Sequence, residues 1–390
     1  MPLNEERARS LMAERGVETL IATSPQNVYY ITDYWSDGLE LGASEAYAIL
    51  PLDGAPLLIA PVDEVDLIAE GEAVFESLYL YGSPGFEVSA DWTAERTGEI
   101  LSLLESSKIY VDAPSALSAA LRDLTPSGGV ALDSSGLSPQ SLEALRNRLG
   151  EVEVVEGSEL LREMRMVKTP LEVERLRRAT EVLEKAMEDA LEIIGSGVSE
   201  LEASGMFRYS LASDGGVETL ILLGFGERSS YPNPLPSTLE AARGDVIRMR
   251  LGCTLGHYHS RVSRTAILGR PGREVRGVWE AILSAQDAAL EALEPGVSAS
   301  EVYGRAEKAL REGGLRGLGL SIGSGIGLEA YEPPRIGRGG DEELLEGMVI
   351  SIDVRYLKLG SYGVELEDIY HITGDGAEPL TRTSRELYLL

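Results

Sequence analysis

The sequence predicts an α/β protein of two domains. We place an α/β layer domain over residues 1–156 and a duplicated α/β (α+β) domain over residues 157–390. Strand-like and helical patterns alternate through the first part, which is typical of an α/β layer fold. A strong helix start follows at Thr169. The second part then repeats its own helix–helix–strand pattern, which indicates two related units packed about a pseudo-twofold axis.

Hydrophobic periodicity predicts the elements of the first domain. An amphipathic helix over Glu5–Arg15 leads into a buried strand over Val17–Ala22. Apolar runs and helical spacing between turn residues mark the later elements. We predict further strands at Ala46–Leu50, Ala55–Ala60, Ile109–Val111 and Val152–Val155, and further helices at Trp92–Leu104 and Pro139–Leu149.

The second domain begins with a long predicted helix. Thr169 and Glu172 have the spacing of a capping box, and Pro170 stands at the first helical position, which needs no N–H donor. Apolar residues then recur at helical spacing, so one face of the helix is expected to be buried. These residues are Val173, Leu176, Ala179, Leu183, Met187, Ala190 and Leu191.

An internal repeat organises the rest of the second domain. Residues 187–199 are similar to residues 286–298 at an offset of 99. Each copy is followed by an apolar strand that begins at a glycine, Gly244 in one half and Gly347 in the other. We expect the equivalent strands to meet at the centre of the domain.

The repeat also pairs charged residues. Arg250 and Asp353 both stand six residues after the glycine that starts their strand, so they are counterparts. A second strand returns in each half, carrying Arg261 in one and Glu367 in the other. The duplication therefore predicts two arginines facing two acids near the axis.

Composition restricts the class of partner. A net charge of −29 and a pI of about 4.5 argue against nucleic acid and anionic membranes as partners. No apolar run approaches the roughly 18 to 20 residues of a membrane span, and the N-terminus has no signal-peptide pattern. The single cysteine, Cys253, suits a reducing interior, so we expect a cytoplasmic protein. The preference for arginine over lysine, together with few Asn and Gln residues, suggests a thermophilic source.

Motifs in both domains resemble those of one superfamily. Asn27–Thr32 is similar to an N-V-x-Y-L-T stretch, while Gly244–Gly252 and Tyr258–Thr265 together form the most specific match. These segments closely resemble the prolidase, aminopeptidase P and creatinase superfamily. The resemblance implies a creatinase-like N-terminal domain, a C-terminal pita-bread domain and a homodimer. It also implies Xaa-Pro peptide hydrolysis at two divalent ions such as Mn, Co or Zn.

The same resemblance assigns five metal-ligand positions, of which one is unchanged here. The two aspartates correspond to Arg250 and Arg261, the histidine to Ser324, and two glutamates to Asp353 and Glu367. A guanidinium group has only N–H donors and stays charged, so it cannot ligate a metal ion. We therefore predict no metal and no other cofactor for this chain.

Other catalytic positions of the superfamily differ as well. A substrate-side histidine corresponds to Asn233, and the histidine of an H-E-P-P stretch corresponds to Tyr331. Creatinase, a metal-free member, uses that first histidine and a glutamate at the position of Ser263. Both hydrolytic routes that the resemblance implies therefore lack their side chains in this sequence.

Charge balance suggests how the fold accommodates these changes. Four carboxylates with two divalent ions sum to about zero, and so do two arginines with Asp353 and Glu367. Buried charges need partners, so we hypothesise that Arg250 and Arg261 are internal counter-charges. The remaining pocket candidates are His259, which shares strand parity with Arg261, and Arg264. Arg250, Arg261 and Arg264 could together present a carboxylate-binding surface.

Four functions are compatible with these residues. The leading hypothesis is a homologue of Xaa-Pro peptidases without metallopeptidase activity, whose remnant pocket binds a peptide, an amino acid or another small anion. The second is a metal-independent enzyme that uses His259, Tyr331 or Glu367. The third is an active Xaa-Pro dipeptidase or aminopeptidase with an unrecognised metal site. The fourth is a protein-interaction module, which would expose a large apolar patch.

Overall fold

The computed structural model describes residues 2–125, 128–149, 154–317 and 319–390. It divides into two compact units, Met1–Arg165 and Met166–Leu390. The sequence places the domain boundary earlier, after residue 156. The difference arises because the segment that follows is held by the first unit: the Glu163 carbonyl accepts from Arg7 Nη2 at 3.0 Å, and the Met164 carbonyl accepts from the Tyr30 hydroxyl at 3.3 Å.

The first unit is an α/β layer on a seven-stranded sheet of strand order β5-β4-β3-β2-β1-β6-β7. Strand β2 runs antiparallel to both neighbours, and the other pairs are parallel. The strands are β1 (Val17–Ala22), β2 (Tyr47–Pro51), β3 (Leu57–Pro61), β4 (Ser77–Tyr81), β5 (Lys108–Tyr110), β6 (Gly129–Leu132) and β7 (Val154–Glu156). The helices are α1 (Glu5–Glu14), α2 (Pro25–Thr32), α3 (Asp37–Glu40), α4 (Val65–Glu70), α5 (Glu95–Ser106), α6 (Ala113–Leu124), α7 (Pro139–Leu149) and α8 (Ser158–Met166), with a 3₁₀ turn at Val62–Glu64.

The α/β class predicted for this unit is confirmed, and the predicted strand Val17–Ala22 and helix Pro139–Leu149 have the observed bounds. The predicted strand over 152–155 falls partly outside the described residues, and the observed strand covers Val154–Glu156. Elements α2, α3, α4, α6, α8, β4 and β6 are absent from the predicted set. Of these, α3, α4, β4 and β6 have only four to six residues, which is too short to show a period.

A buried carboxylate fixes the start of α2. Asp133 Oδ2 accepts hydrogen bonds from the backbone N–H of Thr23 and Ser24 and from Asn27 Nδ2, at 3.2, 3.1 and 2.8 Å. Burial opposes ionisation, but these bonds, with others from Ser135 and Ser24, lower the pKa of Asp133 to about 2. The charge therefore persists inside the unit and satisfies the N–H groups of the two residues that immediately precede the helix.

The second unit is built on an antiparallel sheet whose path runs β12-β11-β13-β14-β10-β9-β8, with β15 on β14 and β16 on β10. Its strands are β8 (Val217–Phe225), β9 (Val246–Leu255), β10 (Tyr258–Ile267), β11 (Ser321–Gly325), β12 (Glu332–Gly337), β13 (Val349–Lys358), β14 (Tyr362–Thr373), β15 (Gly376–Pro379) and β16 (Tyr388–Leu389). Its helices are α9 (Pro170–Ile193), α10 (Glu200–Ser213), α11 (Arg273–Leu290) and α12 (Ala299–Glu312), with a 3₁₀ turn at Gly226–Ser230.

The duplication predicted from the sequence is visible in this unit. Helices α9 and α10 precede strands β9 and β10 in one half, and α11 and α12 precede β13 and β14 in the other. The capping box of Thr169 and Glu172 forms as predicted. The glycines that start the equivalent strands both have positive φ, +99° at Gly244 and +86° at Gly347, a conformation that side chains disfavour. These features confirm the pita-bread class for the second unit.

Strand alternation gives the sheet of the second unit two different faces. Apolar side chains such as Met249, Val262 and Ile352 pack into the clusters that the helices cover. Side chains at the intervening positions point to the other face, because successive residues of a strand alternate sides. That face carries most of the charged side chains considered below. No helix in the described ranges is long and apolar enough to cross a membrane.

Candidate functional site

A row of polar side chains crosses the four central strands of the second unit. In the sheet register Arg250 pairs with Ser263, Ser263 with Glu367, and Glu367 with Asp353. The row therefore runs through β9, β10, β14 and β13 on one face. It joins the two halves of the repeat, with Arg250 at one end and Asp353, its counterpart in the duplication, at the other.

Arg250 lies among three carboxylates. Its Nη1 atom is 3.3 Å from Asp353 Oδ2 and 3.5 Å from Glu365 Oε1, and its Nε atom is 3.6 Å from Glu367 Oε2. Arg261 approaches the same Glu367 from the neighbouring strand, with 3.3 Å between Nε and Oε1. The two guanidinium groups thus flank Glu367, and the structure brings all four residues of the predicted cluster together.

The pKa values of the two acids in this cluster are shifted in opposite directions. Burial disfavours the Glu367 charge, but Arg261 and Arg250, with hydrogen bonds from the hydroxyls of Ser351 and Ser263, lower its pKa below the ordinary value. Those hydroxyls donate at 2.7 and 3.1 Å. Burial and the charges of nearby Glu365 and Glu367 raise the pKa of Asp353 well above its ordinary value, against the opposing effect of Arg250. Glu367 is therefore the acid of this pair whose charged form the surroundings stabilise.

A cavity of about 610 Å³ opens beside this row. Tyr331 covers one face of the Arg261 guanidinium, with its ring centroid 4.0 Å from Cζ, and is itself 61% exposed. Arg250 Nη2 donates to the Tyr331 hydroxyl at 3.4 Å, and Arg261 Nη2 donates to Ser324 Oγ at 3.5 Å. The cavity is lined by Arg250, Arg261, Ser321, Ile322, Gly323, Ser324, Tyr331, Glu332, Pro333, Arg335, Glu342, Asp353, Arg355 and Glu367.

A buried ion pair extends the cluster, and neither of its residues is among the site residues predicted from the sequence. Arg248 Nη1 contacts Glu365 Oε2, and both side chains are almost fully buried, at 1% and 0% exposure. The Arg248 fork also donates to the carbonyls of Ser229, at 2.6 Å, and Tyr231, so it ties the 3₁₀ turn to the sheet. Strand parity could have found this pair. Arg248 lies two residues before Arg250, and Glu365 lies two residues before Glu367.

The prediction that Arg264 belongs to the pocket is wrong. Arg264 lies on β10 one residue after Ser263, so it points to the helix-covered face. Its fork donates to Asp368 Oδ1 at 2.6 Å, to the Glu367 carbonyl at 2.8 Å and to the Ser384 carbonyl at 3.0 Å. These bonds leave its guanidinium no role as a carboxylate-binding surface in the cavity.

Two further candidates are not among the cavity-lining residues. Asn233 is exposed in the loop after the 3₁₀ turn. His259 is half-buried, and its backbone N–H donates to the Gly327 carbonyl at 2.8 Å. Burial lowers the pKa of His259 to about 4, with Glu332 opposing and Arg261 assisting. The imidazole is therefore neutral at neutral pH, and it lies near the cluster without lining the cavity.

A second buried ion pair joins the segment before α9 to Glu332, the first residue of β12. Lys168 Nζ is 2.8 Å from Glu332 Oε2, and both side chains are buried. Nearby, Glu172 closes the α9 capping box and accepts from the Tyr258 hydroxyl at 3.2 Å. Burial raises the pKa of Glu172 to about 7, while the backbone N–H of Thr169 and the charge of Lys168 oppose the shift.

The donor set of the cavity contains few metal ligands. Among the residues that the structure describes, no group of three or more His, Cys, Asp and Glu side chains is arranged so that it could hold a metal ion. The positions that the sequence resemblance assigns to an aspartate pair and a histidine carry Arg250, Arg261 and Ser324, which all line the cavity.

Comparison with known proteins gives the family of the chain. The model of metallopeptidase family M24 matches residues 174–374, and the model of the creatinase/prolidase N-terminal domain matches residues 6–167. The chain belongs to the M24 metallopeptidase family and carries the creatinase/prolidase type of N-terminal domain. This confirms the resemblance inferred from the sequence motifs.

Individual relatives agree with this assignment. The chain is 34% identical to the Xaa-Pro dipeptidase of Pyrococcus furiosus over 256 residues, covering 64% of this chain and 73% of the relative. It is 27% identical to the Xaa-Pro dipeptidase of Lactobacillus delbrueckii subsp. lactis over 395 residues, covering 100% of this chain and 99% of the relative. Among solved structures, the prolidase of Pyrococcus horikoshii matches with a TM-score of 0.78 and 25% identity, over 98% of this chain and 99% of that one.

Proposed function

We propose that this M24 protein does not use a dinuclear metal centre and that its central cavity binds a small ligand, which is a peptide, an amino acid or another small anion. The observation that carries the proposal is the pairing of Arg250 with three carboxylates at 3.3 to 3.6 Å. Divalent ions need carboxylate or imidazole ligands. A guanidinium group donates hydrogen bonds and repels a cation, so the residues present do not fit a pair of such ions.

Charge balance supports the same conclusion. Arg248, Arg250 and Arg261 carry three positive charges on the polar face, and Asp353, Glu365 and Glu367 carry three carboxylates. The arginines therefore already neutralise the acids that cations would otherwise neutralise. Adding two divalent ions would leave a large excess of positive charge in a partly buried place, which is unfavourable.

Two alternatives are decided by the same experiment. Relatives named Xaa-Pro dipeptidase favour an active dipeptidase or aminopeptidase, although a shared fold does not settle the chemistry of a site. A metal-independent enzyme is the other alternative, with Tyr331 and Glu367 in the cavity as its reactive groups. The proposal also takes the chain to be a cytoplasmic homodimer, as the family resemblance and the lone cysteine suggest.

Elemental analysis tests the proposal. The purified chain is incubated with excess Co²⁺, Mn²⁺ or Zn²⁺ and desalted, and its metal content is measured. We expect near-zero metal per chain and no release of proline from Xaa-Pro dipeptides. The matched control restores the four altered ligand positions, by Arg250→Asp, Arg261→Asp, Ser324→His and Asp353→Glu together. This variant is expected to retain metal.

Two outcomes would overturn the proposal. A wild-type chain that retains about two ions, the content of a dinuclear hydrolase site, would make Xaa-Pro hydrolysis the leading function. Hydrolysis that persists in a strong chelator would instead identify a metal-independent enzyme. Either result is read from the wild-type chain, so it does not depend on whether the restored variant folds.

A further inference from the structure

Arg261 has a hydrogen-bonding edge that its neighbours do not use. Its side chain is only 3% exposed and borders the cavity. Nη2 donates to Ser324 at 3.5 Å, and Nε lies 3.3 Å from Glu367, but Nη1 has no hydrogen-bond partner within the described part of the chain. A buried charged donor without an acceptor costs roughly 1 to 3 kcal/mol or more. A ligand acceptor in the cavity would remove that cost.

Tyr331 stands beside this edge. Its ring covers the Arg261 guanidinium at 4.0 Å, and its hydroxyl accepts from Arg250 at 3.4 Å. A hydroxyl that accepts can still donate its own proton. Ser324 differs, because its hydroxyl already donates to the Gly325 carbonyl at 2.9 Å. Ser324 therefore orients the guanidinium, whereas Arg261 and Tyr331 can each direct a donor to a bound anion.

The charge of the cluster indicates which anion fits. The cavity is lined by four arginines and four acids, whose formal charges sum to zero, so a bound monoanion adds one net charge and a dianion adds two. Unbalanced charge in a poorly hydrated place is costly, which favours the monoanion.

We propose that Arg261 Nη1 and the Tyr331 hydroxyl form a seat for the carboxylate group of a monoanionic ligand, with Ser324 as a positioning residue. This inference rests on the proposed function, because it places a ligand where the resemblance would place metal ions. The seat determines which ligands the cavity accepts. It favours carboxylates over phosphate.

Acetate is the minimal probe of the seat. Binding is measured by saturation-transfer NMR of the acetate methyl group and by the rise of Tm, at constant ionic strength set with chloride. We expect acetate to bind and to raise Tm more than inorganic phosphate. Arg261→Gln should weaken acetate binding about 10- to 100-fold, and Tyr331→Phe about 3- to 10-fold, as charged and neutral hydrogen bonds are lost. Arg178→Gln, on the exposed face of α9, is the control for net charge.

Three results would overturn the carboxylate seat. They are no acetate effect on the wild-type chain, a larger effect of phosphate, or loss of binding in Arg355→Gln but not in Tyr331→Phe. Tyr331 is exposed, so its variant reports on the seat even where Arg261→Gln fails to fold. A metal-free chain that ignores acetate would reject the seat alone. A chain that retains two metal ions would reject the proposed function itself.

Discussion

Replacing Arg248 by methionine removes one half of a buried ion pair while keeping a side chain of similar length. In the native unit Arg248 contacts Glu365 and the carbonyls of Ser229 and Tyr231. The variant leaves Glu365 fully buried with Arg250 3.5 Å away as its nearest cation. Breaking a buried pair from one side costs about 3–5 kcal/mol, because an uncompensated charge remains. For a unit of this size that corresponds to a fall in Tm of about 6–20 °C.

Cys253 provides an assay that reports on the second unit alone. It is the one cysteine of the chain, it lies buried on β9, and burial raises its pKa to about 12. The thiol should therefore react with a labelling reagent only when this unit opens. Pulsed labelling across a urea titration then gives the free energy of unfolding for wild type, Arg248→Met and the surface control Arg178→Met.

The double variant Arg248→Met/Glu365→Gln completes the test. Removing both charges eliminates the orphaned carboxylate, so the double variant should be at least about 2 kcal/mol more stable than Arg248→Met alone. The control Arg178→Met breaks a solvent-exposed pair and should cost less than about 1 kcal/mol. The reasoning fails if Arg248→Met costs no more than the control. It also fails if the double variant does not recover stability.

Two further predictions concern pH. The pKa of Asp133 is lowered to about 2, so the stability that this carboxylate contributes is full above about pH 4 and is lost as pH falls through 2. Asp133→Asn should lower the free energy of unfolding of the first unit by about 2–3 kcal/mol at neutral pH. The loss would be measured as faster hydrogen exchange of residues 17–32. The pKa of Glu172 is raised to about 7, so its effect on stability runs in the opposite direction. The free energy of unfolding of the second unit should fall by about 3 kcal/mol as pH rises from 4.5 to 7. Denaturant-dependent hydrogen exchange of β9 should show a weaker pH dependence in Glu172→Gln. A Glu172→Gln slope equal to that of wild type, or an Asp133→Asn unit with unchanged exchange, would contradict these assignments.

Much of the fold could be predicted because local signals and the repeat agree. The Thr169–Glu172 capping box marks the start of α9, and glycines mark the starts of the paired strands β9 and β13. The short elements of the first unit were harder to find. Helix α2 has eight residues of which Asn27–Thr32 are all buried, so it has no polar face to reveal a helical period.

The site was predictable as far as the repeat relates its strands. Counting six residues from Gly244 and Gly347 placed Arg250 opposite Asp353, and the structure separates their charged atoms by 3.3 Å. Counting residues along one strand cannot predict contacts that depend on the register of the neighbouring strand. Arg264 and Asp368 pair on the helix-covered face, and that contact is fixed by the register of β10 against β14. Sequence separation alone does not give that register.

The arginine cluster also indicates where function can remain in this fold. Arg248 is fully engaged by Glu365 and two carbonyls, and Arg250 is shared among three acids. These two guanidinium groups compensate the charge of carboxylates that are buried in the sheet, and removing either one leaves that charge less well paired. Arg261 differs because its side chain lines the cavity and its Nη1 atom has no acceptor among the described residues. Ligand binding is therefore expected to depend on Arg261 more than on its neighbours, while changes at Arg248 should act through stability.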